Sequence, residues 1–387
     1  MDQKLTSDGL ARVREAAERN VGDDKVPGLV ALVAAGDQVH VEALGRLSLG
    51  GPPVTRDSLF RISSTSKPIT GAATLALVQE GLVGLDEPVD RLLPELADRR
   101  VLRRMDGPLS DTVPASRPIT TRDLLTFTFG TGMVMEMFMA PAPWPIQEAI
   151  NKLDLSTLGP PDPAMPLDPD TWIANLGTLP LMAQPGERWM YNTGAQVLSV
   201  LLARAAGQPL GDVLRTRIFE PLGMSSTSFW TAETSRLAEA YWPGPEGLMV
   251  SDPPDGKWSR PPAFEDGAAG LLSTADDLHA FAAMLLRGGA PVLSADSVTA
   301  MTTDQLTAEQ KALGGLGPDF FGHQSWAYCQ AVQDTGAFGW DGGLGTSFLV
   351  DPAAGLIVIV QTQLGFGSPA LPQAHQDIRD AAYSALA

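Results

Sequence analysis

The chain opens with apolar residues at helical spacing. Leu5, Leu10, Val13 and Ala16-Ala17 share one side of a charged stretch, which predicts an amphipathic helix over Met1–Asn20. Two candidate strands follow, Leu29–Ala35 and Gln38–Leu44, separated only by Gly36-Asp37, the pattern of a β-hairpin. An extended apolar lead-in (Leu59, Phe60, Ile62) then runs into a helix predicted to begin near Ser63 or Ser64 and to end near Gly81–Gly84. This helix is rich in Ala, Leu and Val almost all round, as a central buried helix is.

From Leu85 to Phe229 the pattern is mostly helical with long Pro-rich connections. Residues 159–169 carry five prolines, too many for a regular element. A helix is predicted over Ala275–Leu286, opened by Ser273-Thr274 as its cap. Thr346–Asp351 and Leu356–Thr362 alternate as strands, and a last helix fills Ala374–Ala387. Strands at both ends with helices between predict an α/β (α+β) fold. Its antiparallel sheet, built from N- and C-terminal strands and flanked by helices, carries an inserted, mainly helical part. The expected division is a sheet subdomain over 1–62 and 230–387 and a helical subdomain over 63–229.

At 387 residues and 44% hydrophobic content the chain can bury a large core. A formal net charge of −18 argues against nucleic acid and anionic membrane as partners. No basic segment leads into an apolar one at the N-terminus, and no run reaches membrane-spanning length, so a cytoplasmic location is expected. The lone Cys329 allows no intrachain disulfide and fits a reducing compartment. Its surroundings, Trp326–Gln330, read as part of a half-buried strand.

Candidate chemistry starts at Ser64-Thr65-Ser66-Lys67. Positions three apart share a helix face, so the Ser64 hydroxyl and the Lys67 amine are expected side by side at the helix entrance. That pairing can turn a weak hydroxyl nucleophile into a reactive one. Read alone, the same spacing also describes a helix with an N-capping serine. A lysine opening a buried helix is costly, however, unless it has a partner or a role.

A serine nucleophile needs a base. The four histidines (His40, His279, His323, His375) stand beside no acid-rich or Gly-rich turn, and no G-x-S-x-G elbow occurs. Tyr191 is the alternative, in Pro185–Gly194 just before the apolar helix Ala195–Ala206. Near the Lys67 cation its phenol is expected to titrate well below the free value of about 10. Without that neighbour it would be an ordinary half-buried tyrosine. The third piece, Phe338–Thr346, concentrates glycines beside a strand. Such residues let a substrate approach and leave amide N–H groups for an oxyanion, or simply form a turn. Met133–Met139 and Pro141–Pro145 read either as core filling or as adaptable lid and pocket wall.

Together these pieces resemble the serine β-lactamase and penicillin-binding-protein-like superfamily, above all class C β-lactamases and family VIII carboxylesterases. The likeness runs from about Val26 to Ile359. Val26–Ala31 looks like the first sheet strand, and Leu124-Leu125-Thr126-Phe127-Thr128-Phe129-Gly130 resembles the family's Leu-Leu-Thr-His-Thr-Ser-Gly. Glu220–Phe229 and Gly270–Asp277 match further segments in order. The resemblance implies Ser64 as nucleophile, Lys67 assisting its deprotonation, and Tyr191 as general base and later proton donor to the leaving group. It also implies an oxyanion hole from the Ser64 and Gly343 N–H groups and chemistry without metal or cofactor. The substrate pocket is then expected from Trp340, Asp341, Gly342, Thr193, Phe129 and Met133.

Two departures bear on substrate. Trp340 stands where the family's Lys-Thr-Gly has its lysine, which removes a cation that could hold a carboxylate; tryptophan here resembles the family's esterases. The Tyr-x-Asn motif reads Tyr191-Asn192-Thr193, so its amide is lost or shifted. The expected activity is a serine carboxylesterase acting on small or short-acyl esters through an acyl-enzyme. β-Lactam, D-aminopeptidase-type or other amide hydrolysis and acyl transfer use the same chemistry. A non-catalytic binding protein would be marked by a broken Ser-x-x-Lys or a missing tyrosine, and both are intact. The expected partner is a small-molecule ester; the oligomeric state is not readable.

Overall fold

The computed structural model describes residues 4–368 and 370–387. Helix α1 spans Ser7–Asn20, capped by the Thr6 side chain; Met1–Gln3 of the expected helix lie outside the described residues. The hairpin follows as β1 (Gly28–Ala35) and β2 (Gln38–Gly45). Helix α2 (Ser66–Gln79) is preceded by a 3₁₀ turn over Ser63–Thr65, so the predicted start is right but its first turn is tighter than α. After shorter helices, among them Pro145–Lys152 and Pro169–Gly177, come α3 (Thr193–Ala206) and, further on, α4 (Ala275–Leu286). Strands β3 (Gln324–Trp326), β4 (Ala331–Gln333), β5 (Phe338–Gly342), β6 (Thr346–Asp351) and β7 (Leu356–Thr362) then lead to α5 (Gln373–Ser384).

These strands form one seven-stranded antiparallel sheet in the order β2-β1-β7-β6-β5-β4-β3. Strand β1 is apolar throughout because both its faces are covered. Leu29, Ala31 and Val33 pack with Val13, Ala16, Ala17, Ile378 and Ala382 of α1 and α5. Val30, Leu32 and Ala34 face the other way, into a core that includes Phe281 of α4 and continues through the helical region. Helix α2 is buried on all sides from Ser66 to Leu77 and packs against α3, as its uniformly apolar surface requires. Among the described residues no single helix is long and apolar enough to cross a membrane.

The structure departs from expectation in places. Residues 85–229 contain a small ribbon, Arg100–Leu102 with Thr112–Pro114, and a second hairpin joins Ala240–Gly244 to Gly247–Asp252. Phe338–Gly342 is a strand, whose first two residues pair with β4 and whose last three pair with β6 alone. Cys329 belongs to no strand. It is fully buried at the β3–β4 connection with a left-handed φ of 60°.

Candidate active site

A short strand, Phe60-Arg61, pairs with Leu272-Ser273 and delivers the chain to Ile62. Ser63 then takes a φ of 47°, a left-handed conformation uncommon outside glycine, and Ser64 follows at the entrance to α2. The Ile62 carbonyl accepts a hydrogen bond from Thr346 Oγ1 at 2.8 Å, which ties this turn to β6. Gly342 is required there: a Cβ on it would lie 2.2 Å from the Ile62 carbonyl oxygen. The last residue of β5 is thus pressed against the Ser64 turn.

Lys67 lies on the same face as Ser64, as the spacing predicted. Its side chain has no solvent exposure, and Nζ donates to Ser64 Oγ at 2.9 Å and to the Ala268 carbonyl at 2.8 Å. Burial pushes its pKa down to about 7, against the opposing pull of the Asp266 carboxylate. A large share of the amine is therefore neutral near physiological pH, with a lone pair available to the serine hydroxyl.

Tyr191 reaches the same centre from the entrance to α3. Its backbone pairs with Met133 through two hydrogen bonds of 2.9 Å. The ring stands among Phe127, Trp189, Trp326 and Trp340, with Lys67 Nζ 4.6 Å from its centroid. Trp340 Nε1–H donates to the phenol oxygen at 2.7 Å. Contrary to the sequence expectation, burial raises the phenol's pKa above its ordinary value, and the bonds from Ser64 and Trp340 offset only part of the rise. The cation expected to lower it is itself weakened by the same burial.

Ser64, Tyr191 and Gly343 line one cavity of about 180 Å³, together with Ser63, Met133, Ser156, Gly159, Pro160, Pro161, Asn192, Trp242, Asp266, Ala269 and Leu344. The N–H groups of Ser64 and Gly343 donate to no other group among the described residues. Both residues line the cavity that holds Ser64 and Tyr191. None of the four histidines is in the lining. Among the described residues no group of three or more His, Cys, Asp or Glu is placed to hold a metal ion. A larger hollow of about 710 Å³ is lined by residues from 209–230 and by Glu265, but it holds none of these groups, and its Arg215 is paired with Asp212 and Glu220.

Of the expected pocket residues, Met133 lines the cavity and the others do not. Phe129 is wholly buried in the core. Thr193 is buried as the first residue of α3, because Asn192 turns at a φ of 80° and faces the cavity in its place. The shifted amide donates to the Thr157 carbonyl at 3.2 Å. Asp341 points to Arg379 of α5, Gly342 is packed against Ile62, and Trp340 donates to the phenol of Tyr191, which does line the cavity. Of residues 133–145, only Met133 walls the cavity; Phe138 and Met139 are 58% and 77% exposed. Sequence reasoning missed the Pro160-Pro161 wall, Trp242, Leu344 and Asp266. The proline run was the one available signal among them.

The Beta-lactamase family model matches residues 13–383. Protein Rv1367c of Mycobacterium tuberculosis is 36% identical over 332 residues, which cover 81% of this chain and 79% of that protein. Esterase EstB of Burkholderia gladioli is 31% identical over 404 residues, 97% of this chain and 95% of its own. Among solved structures, EstCE1, described as a hydrolase with promiscuous acyltransferase activity, has a TM-score of 0.81 at 24% identity and covers 97% of this chain and 99% of its own. That likeness speaks for the fold alone, whereas the family match spans nearly the whole sequence: the chain is an enzyme of the beta-lactamase family.

Proposed function

We propose that the protein is a serine carboxylesterase that forms an acyl-enzyme on Ser64. The observation that carries this reading is the 2.9 Å contact of Lys67 Nζ with Ser64 Oγ, at a cavity lined by Ser64 and Gly343, whose backbone N–H groups have no other acceptor among the described residues. Neutral Lys67 takes the hydroxyl proton as Oγ attacks the ester carbonyl. The N–H groups of Ser64 and Gly343 stabilise the resulting oxyanion. Tyr191, held protonated by burial, gives its proton to the departing alkoxide and is reprotonated by the Lys67 ammonium. Water then attacks the acyl group, its proton passes to the same relay, and Ser64 leaves with a proton from Lys67.

Preference for small, uncharged esters is supported by the cavity. Its volume of about 180 Å³ is below the usual span of drug-sized ligand sites. Met133, Pro160, Pro161, Trp242 and Leu344 make its walls largely apolar. The lining carries the Asp266 carboxylate and no cation, which disfavours carboxylate-bearing β-lactams and peptide termini. Similarity to an esterase over 97% of the chain adds weight to the same reading.

The test is a panel of p-nitrophenyl esters of rising chain length beside nitrocefin and a D-alanyl dipeptide, run on wild type and Ser64→Ala. Turnover should peak at short acyl chains and vanish in Ser64→Ala. Rapid nitrocefin or dipeptide turnover with inert esters would replace this reading by amide hydrolysis.

A further inference from the structure

Asp266 has no counterpart among the residues first expected in the site. Its side chain is half-buried and lines the Ser64 cavity. One carboxylate oxygen accepts the Ala268 N–H at 2.8 Å, and the other accepts only a long bond of 3.4 Å from Gln196 Nε2. The Ala268 peptide that is held this way turns its carbonyl to Lys67 Nζ at 2.8 Å. Lys67 in turn reaches Ser64. A continuous chain of hydrogen bonds therefore runs from Gln196 on α3, through Asp266 and the Ala268 peptide, to the amine and the serine hydroxyl.

We propose that Asp266 is a positioning residue for Lys67: its carboxylate fixes the peptide whose carbonyl orients the amine, and it supplies the negative charge that faces that amine. The inference rests on Lys67 acting as the base for Ser64. The other titratable groups facing Lys67 are Cys329, on the Gly71 side of α2, and Tyr191, whose ring lies 4.6 Å away. Burial keeps both the thiol and the phenol protonated, so they add no charge near neutral pH. In its carboxylate form Asp266 is thus the neighbour that opposes the desolvation of Lys67. Burial raises the Asp266 carboxyl too, while the Ala268 and Ala269 N–H groups and Lys67 act against that rise.

The sign follows directly. A facing carboxylate favours the ammonium, so removing its charge lowers the Lys67 pKa and frees the neutral amine at lower pH. Asp266→Asn keeps an acceptor for the Ala268 N–H and removes the charge; Asp266→Ala removes both. The measurement is the pH profile of kcat/KM for p-nitrophenyl butyrate, beside the rate of Ser64 labelling by a fluorophosphonate probe, which needs no ester turnover.

In Asp266→Asn the acid limb should move down by about one pH unit in both profiles. In Asp266→Ala the limb should move likewise, and kcat should fall about tenfold as the lysine loses its alignment. Profiles of Asp266→Asn that superimpose on wild type would overturn the proposal, and so would a uniform rate loss without movement of the limb. A change confined to KM would assign Asp266 to substrate contact instead. If labelling shows the shift while no ester is turned over, the role of Asp266 stands and the esterase reading fails. If Ser64 is not labelled at any pH, both fail.

Discussion

Lys67 and Tyr191 are both buried beside Ser64, and desolvation acts on them with opposite sign in pKa because each is driven to its neutral form. The lysine falls to about 7 and the phenol rises. Burial therefore favours the neutral amine and the protonated phenol, which fits the proposed removal of a proton by Lys67 and its donation by Tyr191. That division has a consequence for leaving groups. A p-nitrophenolate departs without help, whereas an alkoxide needs a proton. Tyr191→Phe should lose about 10²- to 10⁴-fold in kcat on ethyl butyrate, the usual weight of a general acid, and much less on p-nitrophenyl butyrate. Equal losses on the two esters would remove Tyr191 from the donor role. The pairing of Ser64 with Lys67 was legible from residue spacing alone, since a separation of three on a helix fixes which side chains meet. Spacing did not show the direction of the Tyr191 shift, because burial depends on Trp189 nearby and on Phe127, Trp326 and Trp340 from three distant segments.

Among the elements, those with strong local patterns were legible: α4, β1, β2, β6 and β7 lie within a residue or so of their predicted bounds. The Ala240–Asp252 hairpin was not. Its outer strand is mostly exposed, with Met249 and Val250 open to solvent, so it lacks the alternation that marks a half-buried strand. Yet it carries Trp242 into the cavity wall. What holds it is a buried ion pair: Arg61, three residues before Ser64, donates Nε–H to Asp252 Oδ2 at 2.9 Å, and a second nitrogen donates to the Pro253 carbonyl at 3.0 Å. Removing one partner of such a pair leaves the other buried and uncompensated, at a cost of about 3–5 kcal/mol. Asp252→Ala should therefore lower stability by that order in denaturant unfolding and weaken binding of short-acyl esters at the Trp242 wall. Unchanged stability would mean that Arg61 finds water in the folded state. The Pro160-Pro161 wall shows the same limit in another form: prolines predict irregular backbone, but only the tertiary approach decides that this backbone borders Ser64.

On the scale of the whole molecule, the two ends of the chain close one face of the sheet, with α1 and α5 packed together over β1 and β7. Their approach is tight at Gly9, where a Cβ would lie 2.2 Å from the Ala385 Cα. Alanine would gain up to about 1 kcal/mol in helix propensity, but the overpacking should cost about 1–3 kcal/mol. Gly9→Ala should thus lower Tm by a few degrees and leave ester turnover at the remote Ser64 cavity unchanged; a raised Tm would show that the two helices can part freely. On the opposite face, the sheet presses β5 against the turn that bears Ser64, so the site depends on segments far apart in sequence. The most direct test of what that architecture is for is intact-mass spectrometry of the enzyme quenched shortly after mixing with p-nitrophenyl butyrate. A species heavier by one butyryl group, mapped to the Ser64 peptide, absent from Ser64→Ala and decaying as substrate is exhausted, is the predicted result. Ester turnover with no acyl adduct on Ser64, or an adduct that persists in Ser64→Ala, would contradict it.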